Sequence, residues 1–171
     1  MQVYTIGHGQ ANINDLLDSL TAHGVTHVMD VRSATDANLH PEYNPESIRL
    51  ALLVRGIRYA NMGESLGAPA HISLEDCDRM RSTDEYRAGF TRLMQAALDQ
   101  ERVLCLLGYD WRADRCPRSK LVGESLTRAH GEVLHIEGEH VVPHSMVMAR
   151  LAQRAYATDD SSRGARGSMR G

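Results

Sequence analysis

The stretch GYDWRADRCPRSK (108–120) gathers the only Trp of the chain, a Tyr, two carboxylates, three Arg and a Cys within thirteen positions. Rings beside guanidiniums suit a flat, electron-rich ligand: Tyr109 and Trp111 would stack on a base while Arg115 and Arg118 hold its phosphates. Tyr43 and Tyr59 are candidates to join the stack. Asp110 lies between the two rings. A carboxylate in that position would stabilise the oxocarbenium ion formed when a nucleoside bond breaks, with the rings gripping the departing base. The alternative is that Trp111 packs beneath the loop as a satellite of the core.

Cys116 has three readings. If Pro117 is the first helical residue, Cys116 is the cap, and the free N–H groups of the helix start face its sulfur, with Arg115 and Arg118 adding charge. Such surroundings favour the thiolate and a nucleophile. They equally make an anion site in which the thiol is a bystander, or a plain structural cap. Six positions after Cys116 stands Val122, so no Cys-x5-Arg phosphatase loop is present. Cys105, inside VLCLL, reads as a small core residue.

Two further stretches carry ionisable groups where a bland connector would suffice. DVRS puts Asp30 near a strand end with Arg32 and Ser33 just past it. The functional reading is a carboxylate that positions water or stabilises a cation beside an anion-binding Arg; the structural one is an ion pair holding the loop. In GHG, glycines flank His8 and allow close approach to a ligand, and His8 can donate to phosphate or act as acid or base. The other eight His are scattered without metal-type spacing, so neither a metal nor a cofactor is expected.

These segments need elements to position them, and the pattern is α/β. Apolar runs at 2–7, 26–31, 57–62, 102–108 and 132–138 alternate with helical patterns, the rhythm of a mostly parallel sheet of about five strands covered on both faces, a Rossmann-like three-layer fold. Asn12 caps a first helix that ends at Gly24, Asn44-Pro45 opens a second after the polar loop at 32–43, and Thr83 opens a third. Pro117 begins another, and 145–157 is the closing one. Residues 63–80 read as loop with a short helix. In such sheets ligands bind beyond the C-terminal strand ends, where GHG, DVRS and the 108–120 stretch all fall.

At 171 residues, 42% hydrophobic and 24% charged, residues 1–157 make one globular domain, and the Arg/Gly/Ser-rich segment 158–171 reads as a flexible tail. A formal charge of −3 excludes a generic DNA-coating protein but not a local basic patch. No apolar stretch is long enough to span a membrane. An odd count of three cysteines and no basic-apolar leader at the N-terminus point to reduced thiols and a cytoplasmic setting.

TIGHG, DVRS, NPESIRLALLVRGIRYANMGESLG, the EYRAGF helix and the acidic residue before CPR, in that order and spacing, resemble the domain of unknown function 488 family from about Val3 to about Ile136. Two departures stand out: Cys116-Pro117-Arg118 replaces the family's Cys-His-Arg, and Gly108-Tyr109-Asp110 stands where a Cys-x-Glu is usual. The resemblance implies a Rossmann-like α/β fold with a polar pocket at the strand ends. It also implies removal of methylated adenine from DNA by N-glycosidic cleavage, an activity associated with some relatives.

The leading expectation is therefore a cofactor-independent hydrolase that acts on a modified base in DNA, with N6-methyladenine as the candidate. Asp30 or Asp110 would stabilise the sugar cation; Tyr109, Trp111 and Tyr43 would stack on the flipped base; Arg32, Arg115 and Arg118 would hold phosphates. Two rivals are a Cys116-dependent enzyme acting on a small phosphorylated or nucleotide substrate, and a non-catalytic nucleotide- or nucleic-acid-binding module. The expected partner is DNA or a nucleotide, with no membrane; no oligomeric state follows from the sequence.

Overall fold

Alternation along the buried strands decides which side each helix covers. In β4 (Leu104–Gly108), Leu104 and Leu106 face one hydrophobic cluster while Cys105 and Leu107 face another, and all four are buried. A strand covered on both sides gains apolar contacts at every position, which is why VLCLL carries no polar residue. The computed structural model describes residues 1–9, 11–33 and 40–167, with side chains of the closing helix as far as Ala157. Of the expected polar loop, residues 34–39 lie outside the described residues, as do 168–171 of the expected tail.

Strands β1 (Gln2–Gly7), β2 (His27–Asp30), β3 (Arg58–Asn61), β4 and β5 (Glu132–Glu137) form a parallel sheet in the order β3-β2-β4-β1-β5. All five answer to the runs read from the sequence. A sixth strand, β6 (His140–Pro143), adds antiparallel to β5 at the edge. It follows a tight turn at Gly138, whose φ is +63, and it ends in a proline, as edge strands tolerate.

Helix α1 (Ile13–Ala22) buries Leu16, Leu17 and Leu20, and Asn12 caps it by accepting the Asn14 N–H at 2.9 Å. Helix α2 (Pro45–Val54) buries Ile48 and Leu52 on the same side of the sheet. Asn44 occupies its cap position, but the side chain makes no capping bond and Oδ1 is buried with no partner among the described residues. The opposite side holds α3 (Gly63–Leu66), α4 (Leu74–Arg81), α5 (Asp84–Ala97) and α6 (Glu124–Arg128). Two helices thus stand at 63–81 where one short helix was expected, while Ser73 and Thr83 cap α4 and α5 with their hydroxyls.

Pro117 does open a helix, though its first stretch (Arg118–Gly123) is π-helical before it tightens into α6. The closing helix α7 (His144–Gly167) runs past the 157 boundary set from composition and packs Val147 against Ala113 and Val142.

Strand order fixes where a crevice must open. From β1 the chain crosses by α1 to β2 on one side; from β4 it crosses by α6 to β5 on the other. Neighbouring strands β1 and β4 therefore send their following loops to opposite faces, and the gap between those loops is the topological switch point. Gly7 of β1 stands opposite Gly108 of β4 at that gap.

Candidate active site

The two loops of the crevice are pinned to each other by the backbone. His8 N–H donates to the Gly108 carbonyl at 3.2 Å and Gly9 N–H to the Tyr109 carbonyl at 2.6 Å. A Cβ on Gly7 would sit 1.8 Å from the Asp110 carbonyl oxygen, so no other residue fits there. Gly9 has φ +54, and a Cβ there would meet the Trp111 side chain at 3.1 Å. The two glycines of GHG let the loops close until His8 and the Tyr109–Trp111 segment share one surface.

Arg118 secures that surface from below. It is fully buried, its Nε donates to Thr5 Oγ1 at 3.1 Å, and its two terminal nitrogens donate to the carbonyls of Asp110 and, at 3.3 Å, Trp111. Its guanidinium is committed to the Thr5 hydroxyl and to the protein's own backbone. Arg115, three residues earlier, is exposed and makes no ion pair among the described residues.

His8 is almost fully buried, and its ring lies at 4.3 Å, nearly parallel, on Tyr43. Its Nδ1 lies 2.9 Å from the Gly9 carbonyl, which can only accept, so Nδ1 carries the proton and Nε2 presents a lone pair. Burial, and then the nearby Arg32 charge, push its pKa down to about 4. At neutral pH His8 is an uncharged imidazole whose Nε2 has no partner among the described residues. Tyr109 approaches it edge-on at 6.0 Å.

Asp30 sits behind this layer. Its carboxylate accepts from Arg32 Nε at 2.9 Å, Arg32 Nη2 at 2.6 Å, the Arg32 backbone N–H at 3.1 Å and the Tyr59 hydroxyl at 2.7 Å. Burial and the Asp30 charge push the Tyr59 phenol up, so it stays protonated and donates. Arg32 also donates to the Tyr43 carbonyl at 2.8 Å and lies 5.8 Å from the centre of the Tyr109 ring. Tyr43 in turn donates to the Ala11 carbonyl at 2.9 Å. Of the two readings of Asp30, the geometry is that of the ion pair. The pair backs the His8–Tyr109 layer and occupies every lone pair the carboxylate would need for other work. Ser33 donates to the Ala68 carbonyl at 3.1 Å and ties the next loop.

A cleft of about 1210 Å³ opens over this surface. Its walls unite His8, Tyr109, Asp110, Trp111, Arg115 and Cys116; Asp30, Arg32, Ser33, Tyr43 and Arg118 support those walls without lining them. Asp110 is half-buried, and its Oδ1 accepts the Arg112 N–H at 2.9 Å, which orients the carboxylate. Trp111 is 53% exposed, so its ring is a wall and not a core satellite. Cys116 has the extended backbone of a residue before a helix and is buried in the floor.

The cleft also holds Lys120 and, from α7, Arg154, neither among the residues singled out for the site. Arg154 pairs with Asp114 at 3.0 Å. Burial opposes the charge on Asp114, but Arg112 and Arg154 outweigh it and hold its carboxyl below the ordinary range. Arg154 follows Cys116 by a whole α/β unit, so no local spacing could have signalled it.

The family model described as "Domain of unknown function DUF488" matches residues 12–123, more than half of the chain. This chain is a DUF488 protein. No curated protein and no solved structure matches it. The matched span of this DUF488 protein carries Asp30, Arg32 and the whole 108–120 stretch, while His8 and Arg154 reach the cleft from outside it. Among the described residues no group of His, Cys, Asp and Glu is arranged to hold a metal, and no helix is long and apolar enough to cross a membrane.

Proposed function

We propose that this protein hydrolyses the N-glycosidic bond of a modified base in DNA, with N6-methyladenine as the candidate base, and that it works in the cytoplasm. The observation that carries the reading is that the uncharged His8, Asp110 and an exposed Trp111 line one cleft, with Arg115, Lys120 and Arg154 along it. Unstacking supplies the flipped nucleotide, and an exposed ring offers it a new stacking face. Arg115, Lys120 and Arg154 hold the flanking phosphates.

The chemistry follows from these groups. As the bond from C1′ to the base nitrogen lengthens, positive charge grows on the sugar, and the Asp110 carboxylate stabilises it at close range. Water adds its oxygen to C1′, and His8 Nε2 takes the proton that water gives up. The base leaves with the bonding electron pair and takes a proton in turn, which restores neutral His8. Asp30 takes no part in this step; it holds Arg32 beneath Tyr109.

Incubation with a duplex oligonucleotide bearing one N6-methyladenine tests the reading. Free methylated base and an alkali-labile abasic site are the expected products, and Cys116→Ser is expected to yield them at the wild-type rate. An intact oligonucleotide would reject the proposal, and loss of product with Cys116→Ser alone would transfer the chemistry to the thiol.

A further inference from the structure

A second cavity, of about 730 Å³, opens between α1 and the Gly138–Glu139 turn that joins β5 to β6. It shares two residues with the main cleft, His8 and Trp111. Its walls are otherwise different in kind. Ile6, Leu16, Ala22 and Ile136 make them apolar, and the rim carries the carboxylates Asp15, Asp18 and Glu139 with no Lys or Arg, whereas the main cleft mixes Asp110 and Asp114 with Arg115, Lys120 and Arg154. Asp18 is engaged by Arg55 at 2.7 Å, but Asp15 and Glu139 are exposed and form no ion pair among the described residues. His8 is more than nine-tenths buried, and its Nε2 has no partner among the described residues at the wall common to both cavities.

Carboxylates at the rim repel phosphate and accept from N–H donors, and apolar walls beside an indole favour a flat ring. A nucleotide has that division: phosphate on one side of the sugar, base on the other, with the glycosidic bond between them. We propose that the groove along α1 is the nucleobase subsite, built for a base that presents an exocyclic amino group, while the main cleft takes the phosphates. The scissile bond then spans the shared wall of His8 and Trp111, where the basic nitrogen is. This assignment rests on the reading that the ligand is a nucleotide. An amino group donates to Asp15 or Glu139; the carbonyl of hypoxanthine in the same place turns an acceptor toward them and is rejected.

Trp111 is the sole Trp, so its fluorescence reports occupancy of either side. The full-length protein is titrated with deoxyadenosine 5′-monophosphate, deoxyinosine 5′-monophosphate and inorganic phosphate. The adenine nucleotide is expected to bind at least tenfold more tightly than the hypoxanthine one. Asp15→Asn/Glu139→Gln is expected to erase that preference and leave phosphate binding unchanged. Ser19→Phe, which fills the groove from α1, is expected to weaken the adenine nucleotide at least tenfold without touching phosphate. If Ser19→Phe loses its circular-dichroism signal, the carboxylate variant decides alone. A preference that survives in both folded variants overturns the subsite, as does the absence of any fluorescence response to the adenine nucleotide. Preference erased as expected but no base released from methylated DNA sinks the hydrolysis and leaves the subsite; full base release by Ser19→Phe sinks the subsite and leaves the hydrolysis.

Discussion

Replacing Asp30 by Asn separates a structural carboxylate from a catalytic one. The Asp30 side chain accepts four hydrogen bonds, three from Arg32 and one from Tyr59, and both ends of the ion pair are buried. Asn keeps the shape but leaves the Arg32 guanidinium without a counter-charge, and breaking a buried pair on one side costs about 3–5 kcal/mol. For a chain of this size that lowers Tm by roughly 6–20 °C. Asp30→Leu/Arg32→Met removes both charges, leaving the Tyr59 hydroxyl, the Tyr43 carbonyl and the backbone N–H of residue 32 short of partners, and should recover part of the loss. The assay is urea unfolding followed by circular dichroism, with base release measured at a temperature where Asp30→Asn is fully folded. Per folded molecule, its rate should stay within about threefold of wild type, below ~1 kcal/mol of barrier. Wild-type stability in Asp30→Asn, or a hundredfold loss of rate in the folded protein, would refute the structural assignment.

Three other outcomes follow from the same structure. Arg118→Met leaves the Asp110 and Trp111 carbonyls and the Thr5 hydroxyl without their donor; a loss of about 2–4 kcal/mol in urea unfolding and a shifted Trp111 emission maximum are expected. Burial holds His135 down to about 2, and burial with Arg32 holds His8 down to about 4, while the unfolded chain titrates both near 6.5. Their contribution is complete above the unfolded value and drains away as pH falls toward the folded ones. Each removes about 0.7 kcal/mol per pH unit at 6.5 and approaches about 1.4 well below it, so the stability from urea unfolding should be about 3 kcal/mol lower at pH 5.0 than at pH 6.5. The three cysteines are buried and unpaired; none should react with Ellman's reagent before unfolding, and all three should react in urea.

The strands were legible because apolar runs such as VLCLL end in glycine, and the period-2 division of their side chains between two cores followed directly. β6 was not, since HVVP is short and closes on a proline that reads as a breaker. Helix α4 has few apolar residues beyond Cys77, so periodicity had little to grip. At the site, sequence position brought GHG and the 108–120 stretch to adjacent strand ends, and the structure places both at the switch point. What position cannot convey is the direction of a side chain. Arg115 and Arg118 are three residues apart, yet one faces solvent and the other lies beneath the loop it holds. Asp30 ends one strand and Asp110 follows another, each with an Arg two residues on, but Arg32 turns back onto Asp30 with Tyr59 from the neighbouring strand, while Arg112 turns to Asp114.

The most direct measurement is the single-turnover rate of base release from an N6-methyladenine duplex by the wild type, Asp110→Asn and His8→Gln. Release by the wild type, with each variant slowed by at least a hundredfold while remaining folded, is the predicted result. A wild type that releases no base, or folded variants that release it as fast as the wild type, would contradict the account.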